Sequence, residues 1–245
     1  MSDYNFFVPV EMCGYALSNK FINPLRLYIY LKGSCQGQIK LGKEDVKIIA
    51  TELECDPKSI KNNLAKLLKA NWIGYNPKSS YYFIRGFEKV RGLHWFDSRS
   101  SAEFQKSYLN NFKAFAAGAC VGYLANYLRR GAVERNKGRS NHAAPNSEGF
   151  PVSSRLIAKL LNVSLGAAHK IKKDAQQGNF IKVKKNFKHT GCSYFEKRSY
   201  ERTFPETVGR LRNSKGHLVV VDSDLILSVI RFKRRKKSER CIRGY

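Results

Sequence analysis

Two stretches of this chain carry side chains that can read base-pair edges, set at helical spacing. Residues 57–69 offer Lys58, Lys61, Asn62, Asn63 and Lys66, with Lys69 beside them. Asn can pair bidentately with adenine in a major groove, and Lys can reach the acceptors of guanine. Residues 164–177 offer His169, Lys170, Lys173 and Gln176, with Gln177 beside them, and Gln reads adenine as Asn does. In both stretches the plainer alternative is a solvated amphipathic helix. A second set of cations suits phosphate: Lys78, then Arg135, Lys137 and Arg139, then Lys184, Lys185 and Lys188, then Lys233, Arg234, Arg235, Lys236 and Lys237. Phosphate contacts fix position without reading sequence, and each adds salt dependence. For Lys182 and Lys184, the solvent face of a strand is an equal reading.

Other chemistry finds little support. The chain has no Gly-x4-Gly-Lys-Ser/Thr loop for nucleotide phosphate and no His-x-His pair for a metal. Its acidic residues are scattered, so no two-metal carboxylate site stands out. The six cysteines, Cys13, Cys35, Cys55, Cys120, Cys192 and Cys241, lack paired two-residue spacing, and His189-x-x-Cys192 has no second pair. Free thiols in a reducing cytosol are expected, with no metal, no cofactor and no enzymatic activity. Nucleophilic Tyr or Ser chemistry is not addressed by composition. Tyr81, Tyr82 and Phe83 have the chemistry to stack on single-stranded bases, but strand aromatics more often serve a core or sheet face, and the structural reading is preferred.

The elements that must position these residues form a pattern that occurs twice. Ile49-Ala50-Thr51-Glu52-Leu53 runs into Cys55-Asp56-Pro57, Ile60, Leu67 and Trp72-Ile73; Ile157-Ala158-Lys159-Leu160-Leu161 runs into Val163-Ser164, Ala168, Ala175 and Phe180-Ile181. Asp56 and Ser164 suit helix caps and Pro57 a first helical position. Ile60, Leu64, Leu67 and Leu68 recur at core-facing intervals; Lys172 stands where Leu64 stands in the first copy. Each copy reads as helix, tight turn, basic-faced helix and hairpin, the order of a winged helix-turn-helix. The first hairpin is expected at 72–75 and 81–85, the second at 180–187 and 194–197 around Lys188–Gly191. A helix is expected from about Phe104 to Arg130, a strand at His217–Val221, and a short capped helix at Ser223–Phe232. Phe6–Val10 suits an edge strand or a docking arm.

The expected class is α+β, mainly helical, with two winged helix-turn-helix domains in tandem. The divisions are an arm at 1–20, a first domain at 21–90, a connector at 91–103, a second domain at 104–232 with a basic loop at 131–151, and a basic tail at 233–245. Across 245 residues, 45 Lys and Arg against 19 Asp and Glu leave a net charge of +26. Such an imbalance repels itself unless a polyanion offsets it, so double-stranded DNA is the expected partner. RNA or single-stranded DNA is the alternative, and a homodimer is an open option. No signal peptide is expected, and Ala114–Leu128, broken by Gly118, Gly122 and Asn126, is too short and polar to span a bilayer. No membrane partner is expected.

Ile49-Ala50, Asp56-Pro57, Ile157-Ala158 and Val163-Ser164 give the duplicated module a resemblance to tandem winged-helix proteins. Among these the chain looks most like plasmid or phage replication initiators of the double winged-helix type. That resemblance implies one helix per module in a major groove. It also implies a C-terminal module that leads recognition, an N-terminal module that contacts a neighbouring half-site or forms a dimer, and a bacterial cytoplasmic location on nucleic acid. Three functions follow: sequence-specific duplex binding that starts replication, transcription regulation on the same fold, or RNA binding and nucleic-acid packaging.

Overall fold

Strand β1 (Asn5–Pro9) and helix α1 (Val10–Ser18) open the computed structural model, which describes residues 4–96, 100–136 and 149–234. Then come α2 (Ile22–Ser34), β2 (Gln38–Lys40), α3 (Lys43–Glu52), α4 (Pro57–Lys69), β3 (Ile73–Asn76) and β4 (Tyr81–Ile84). α2 buries Leu25, Leu27, Tyr28, Ile29, Tyr30 and Leu31, so it lies inside rather than on one face. β2, β4 and β3 form an antiparallel sheet in the order β2-β4-β3. The Trp72 indole is fully buried, and its Nε1–H donates to His94 Nε2 at 2.7 Å.

The expected connector is itself structured. It holds the second half of α5 (Phe87–His94) and most of strand β5 (Ser100–Gln105), tied by the buried Arg91 guanidinium, which donates to Ser100 O at 3.4 Å and Ser101 Oγ at 3.3 Å. The long helix α6 starts later and ends later than expected, at Phe112–Asn136. Its small residues serve close packing: a Cβ on Gly118 would overlap Phe180, and one on Gly122 would meet Ser228 Oγ at 2.5 Å. Of the expected basic loop, 131–136 finish α6, while 137–148, with Lys137 and Arg139, lie outside the described residues.

Next come β6 (Phe150–Pro151), α7 (Ser154–Leu161), α8 (Leu165–Gln177) and β7 (Ile181–Lys184). Here the second hairpin departs from expectation. The partner of β7 is β11 (Leu225–Ser228), in a sheet ordered β6-β11-β7. The expected helix at 223–232 is therefore a strand. Its Leu-Ile-Leu run and Ser cap suit a helix locally, but pairing between two strands, with Ile226 buried, decides the outcome. Residues 185–224 are inserted where residues 77–80 suffice in the first half. They form β8 (Phe187–Ser193), α9 (Lys197–Thr203), β9 (Leu211–Ser214) and the expected strand β10 (His217–Val221), in a sheet ordered β8-β10-β9. Tyr194–Glu196, expected as strand, is a 3-10 turn capped by Ser193. Leu211, Leu218 and Val220 give the insertion a small core of its own.

β12 (Phe232–Arg234) completes a fourth sheet, β1-β5-β12, so Lys233 and Arg234 belong to a strand rather than to a free tail. Residues 235–245, with Arg235, Lys236 and Lys237, lie outside the described residues. The amino-terminal segment is not a free arm: β1 is an edge strand, and α1 buries Val10, Met12, Cys13 and Ala16. α1 meets α2, α6 and α7, and Ser18 Oγ donates to the Leu161 carbonyl at the end of α7. One continuous apolar core therefore runs from Leu25 and Trp72 through Met12 and Phe115 to Ile157 and Ile226. The fold is α+β with small antiparallel sheets.

Candidate nucleic-acid interface

The two halves share the order of these elements and their spacing. From the α3–α4 turn to the first strand, every position in one half is matched 108 residues later in the other, with Ile73–Asn76 facing Ile181–Lys184. Glu54 and Asn162 both take the left-handed conformation in the turn, as do Asn71 and Asn179 after the second helix. Cys55 N donates to Ala50 O at 2.9 Å, and Val163 N donates to Ala158 O at 3.0 Å. Asp56 Oδ1 accepts from Lys58 N at 2.6 Å, and Ser164 Oγ accepts from Ala167 N at 3.2 Å, so each second helix is capped as its sequence implies.

On α4, Ile60, Leu64 and Leu67 are buried, and Lys58, Lys61, Asn62, Ala65, Lys66 and Lys69 form one exposed stripe. Asn63 is a correction. It is only 9% exposed and lies on the inward side, three residues after Ile60 and four before Leu67, so it is withdrawn from the base-reading set. On α8 the exposed stripe is Gly166, His169, Lys170, Lys173, Gln176 and Gln177. His169 Nδ1 lies 3.1 Å from Ser154 Oγ at the start of α7. Ala65 and Gly166 also lie on these stripes, and their small size leaves each stripe room for close approach. Nothing lies within 4 Å of a Cβ built on Gly166.

Lys172 is buried beneath α8, and its Nζ meets Asp224 Oδ2 at 2.6 Å. This explains a cation where the first half has Leu64. Burial pushes the Asp224 carboxyl up, but Lys172 and then Lys185 outweigh it and hold it below its ordinary range. Several phosphate candidates already have partners. Lys185 reaches Asp224 at 3.2 Å, Lys188 reaches Asp222 at 2.9 Å, and Lys233 Nζ sits 5.7 Å from the Phe7 ring centroid. Lys78 is exposed in the turn between β3 and β4, Lys184 is exposed on β7, and Arg135 is exposed near the end of α6. The structure thus gathers Lys58, Lys61, Asn62 and Lys66 on one helix and His169, Lys170, Lys173 and Gln176 on the other, with the phosphate candidates dispersed.

Among the described residues, no group of three or more His, Cys, Asp or Glu could hold a metal ion. No described helix is long and apolar enough to cross a membrane. Comparison with protein-family models, curated proteins and solved structures finds no match for this chain.

Proposed function

We propose that the chain is a sequence-specific double-stranded DNA-binding protein built from two winged helix-turn-helix modules, with α4 and α8 as recognition helices. One observation carries the reading. Two capped helices, in register 108 residues apart, each turn a stripe of Lys with Asn, or Lys with His and Gln, to solvent. A single basic amphipathic helix is ordinary. Two copies of the same turn, cap and outward stripe, in a chain of charge +26, favour recognition over mere solvation.

Selection from a random duplex pool at about 150 mM salt, where non-specific phosphate binding is reduced, is the test. Enrichment of a defined motif is expected. Without enrichment, and with binding that falls steeply as salt rises, the proposal fails in favour of RNA binding or packaging. The narrower role of a plasmid- or phage-type replication initiator rests on the resemblance of the duplicated module. Its test places the selected motif on a replicon lacking an initiator and, separately, beside a promoter. Replication that depends on the chain supports the initiator, and repression alone assigns a transcription regulator.

A further inference from the structure

The turn-and-helix stripes leave one surface unused. In the sheet β2-β4-β3, side chains alternate between the core and solvent. Ile39, Ile73, Tyr82 and Ile84 pack on the core, while Tyr81 and Phe83 of the central strand stand 37% and 40% exposed on the other face. The register places Phe83 between Gln38 and Gly74, and Tyr81 between Lys40 and Asn76. The matching face of the second sheet carries Leu227 beside Lys182 and Leu225 beside Lys184. The aromatic pair is therefore not demanded by the architecture.

We propose that this open face is a stacking platform for unpaired bases of a single-stranded nucleic acid. Aromatic rings stack on any base, while nearby cations track the backbone. Rings two residues apart on a strand lie about 6.8 Å apart, so they suit bases drawn beyond the ~3.4 Å step of a paired strand. Gly74 puts no side chain beside Phe83, and Gln38 and Asn76 supply amides at the edges of the face. The sheet and its turn carry Lys40 and Lys78, with Arg85 directly after β4, and no Asp or Glu. An apolar protein surface would desolvate Lys40 and both amides without a partner; a polyanion with exposed rings would not. The inference does not depend on the duplex reading, because single-strand binding is measured on its own oligomers and the duplex serves only as a comparison.

The test is fluorescence anisotropy of labelled (dT)12 and (rU)12 with the full chain at about 150 mM salt, alongside a random-sequence duplex. Tyr81→Ala and Phe83→Ala should each weaken single-strand binding by roughly 5- to 150-fold, with duplex binding unchanged. Tyr81→Phe and Phe83→Tyr, which keep a ring, should retain it. Gly74→Val should also weaken it by filling the space beside Phe83, and thermal melts should stay near wild type because the face is exposed. Comparison of the two oligomers shows whether the natural strand is DNA or RNA. The proposal is overturned if wild type does not bind either oligomer saturably, if the alanine variants bind as wild type does, or if duplex and single-strand affinity fall in the same proportion.

Discussion

Asn62 and Asn63 are neighbours in sequence with opposite surroundings. Asn62 lies on the exposed stripe of α4, and Asn63 is buried among Ile60, Leu64 and Leu67. Asn62→Ala should lower preference for a selected site by about 1–3 kcal/mol, as for a bidentate contact, and leave melting near wild type. Asn63→Ala should change stability and leave site preference alone. Competition binding and thermal melts on both variants check this, and equal loss of preference would remove the distinction. The helical spacing already places Asn63 inward; its polarity hid that, because a buried amide runs against the usual pattern. Lys172 makes a second residue-scale case. Lys172→Met should cost about 2 kcal/mol, less than the ~3–5 kcal/mol of a fully buried broken pair, because Lys185 still reaches Asp224. Because the folded Asp224 carboxyl titrates below its ordinary value of 3.8, its stabilisation is complete above about pH 4 and fades as pH falls through the depressed value. Urea midpoints from pH 2 to 7 should show a shallower acid decline in Asp224→Asn than in wild type.

Among the elements, α3, α4, α7, α8 and the first hairpin are legible because their signals are local: Asp56-Pro57, Val163-Ser164 and the spacing of Ile60, Leu64 and Leu67 all lie within a few residues. The second hairpin is not, because β7 finds its partner beyond residues 185–224. No local pattern marks Leu225–Ser228 as its mate, and the nearest strand-like segment, Phe187–Ser193, joins another sheet. The small-residue composition of α6 is legible, but what fills the space is not: Phe180 and Ser228 are far away in sequence. The insertion nevertheless returns to its point of departure. Asn186 O accepts from Asp222 N at 2.9 Å, and Asn186 Nδ2 donates to Ser223 O at 3.4 Å. Deleting residues 187–222 therefore leaves Lys185-Asn186-Ser223-Asp224 as a turn like 77–80. This variant should fold with β7 and β11 still paired and melt within a few degrees of wild type by circular dichroism. A collapse of the transition would mean that the inserted sheet supports the core rather than hanging from it.

At the scale of the molecule, the expected division into arm, domain, connector and domain gives way to one core. Burial of Met12 and Cys13 between the halves joins them, and β5 is paired on both sides by strands from opposite ends of the described chain. Calorimetry should show one main unfolding transition in which calorimetric and van't Hoff enthalpies agree. Met12→Ala should lower stability by about 2–5 kcal/mol, the cost of a large-to-small change in a core, and move that transition without splitting it. Two resolved transitions near the same size would show that the halves unfold independently. This union was not legible in the sequence. The repeated motif advertises two separate modules, whereas the joining residues, Val8, Met12, Ala16, Ala102 and Phe104, carry no repeat signal.

The displaced return strand also sets an order in time. Synthesis delivers the chain from its amino end. The first sheet has all three strands by Ile84, whereas β7 must wait until Ser228 and β5 keeps one side unpaired until Arg234. Through that interval β5, β6 and β7 all stand with bare edges, the state in which nascent chains join one another rather than themselves. A ribosome that stalls before Leu225 would therefore leave a finished first sheet tethered to an unclosed second.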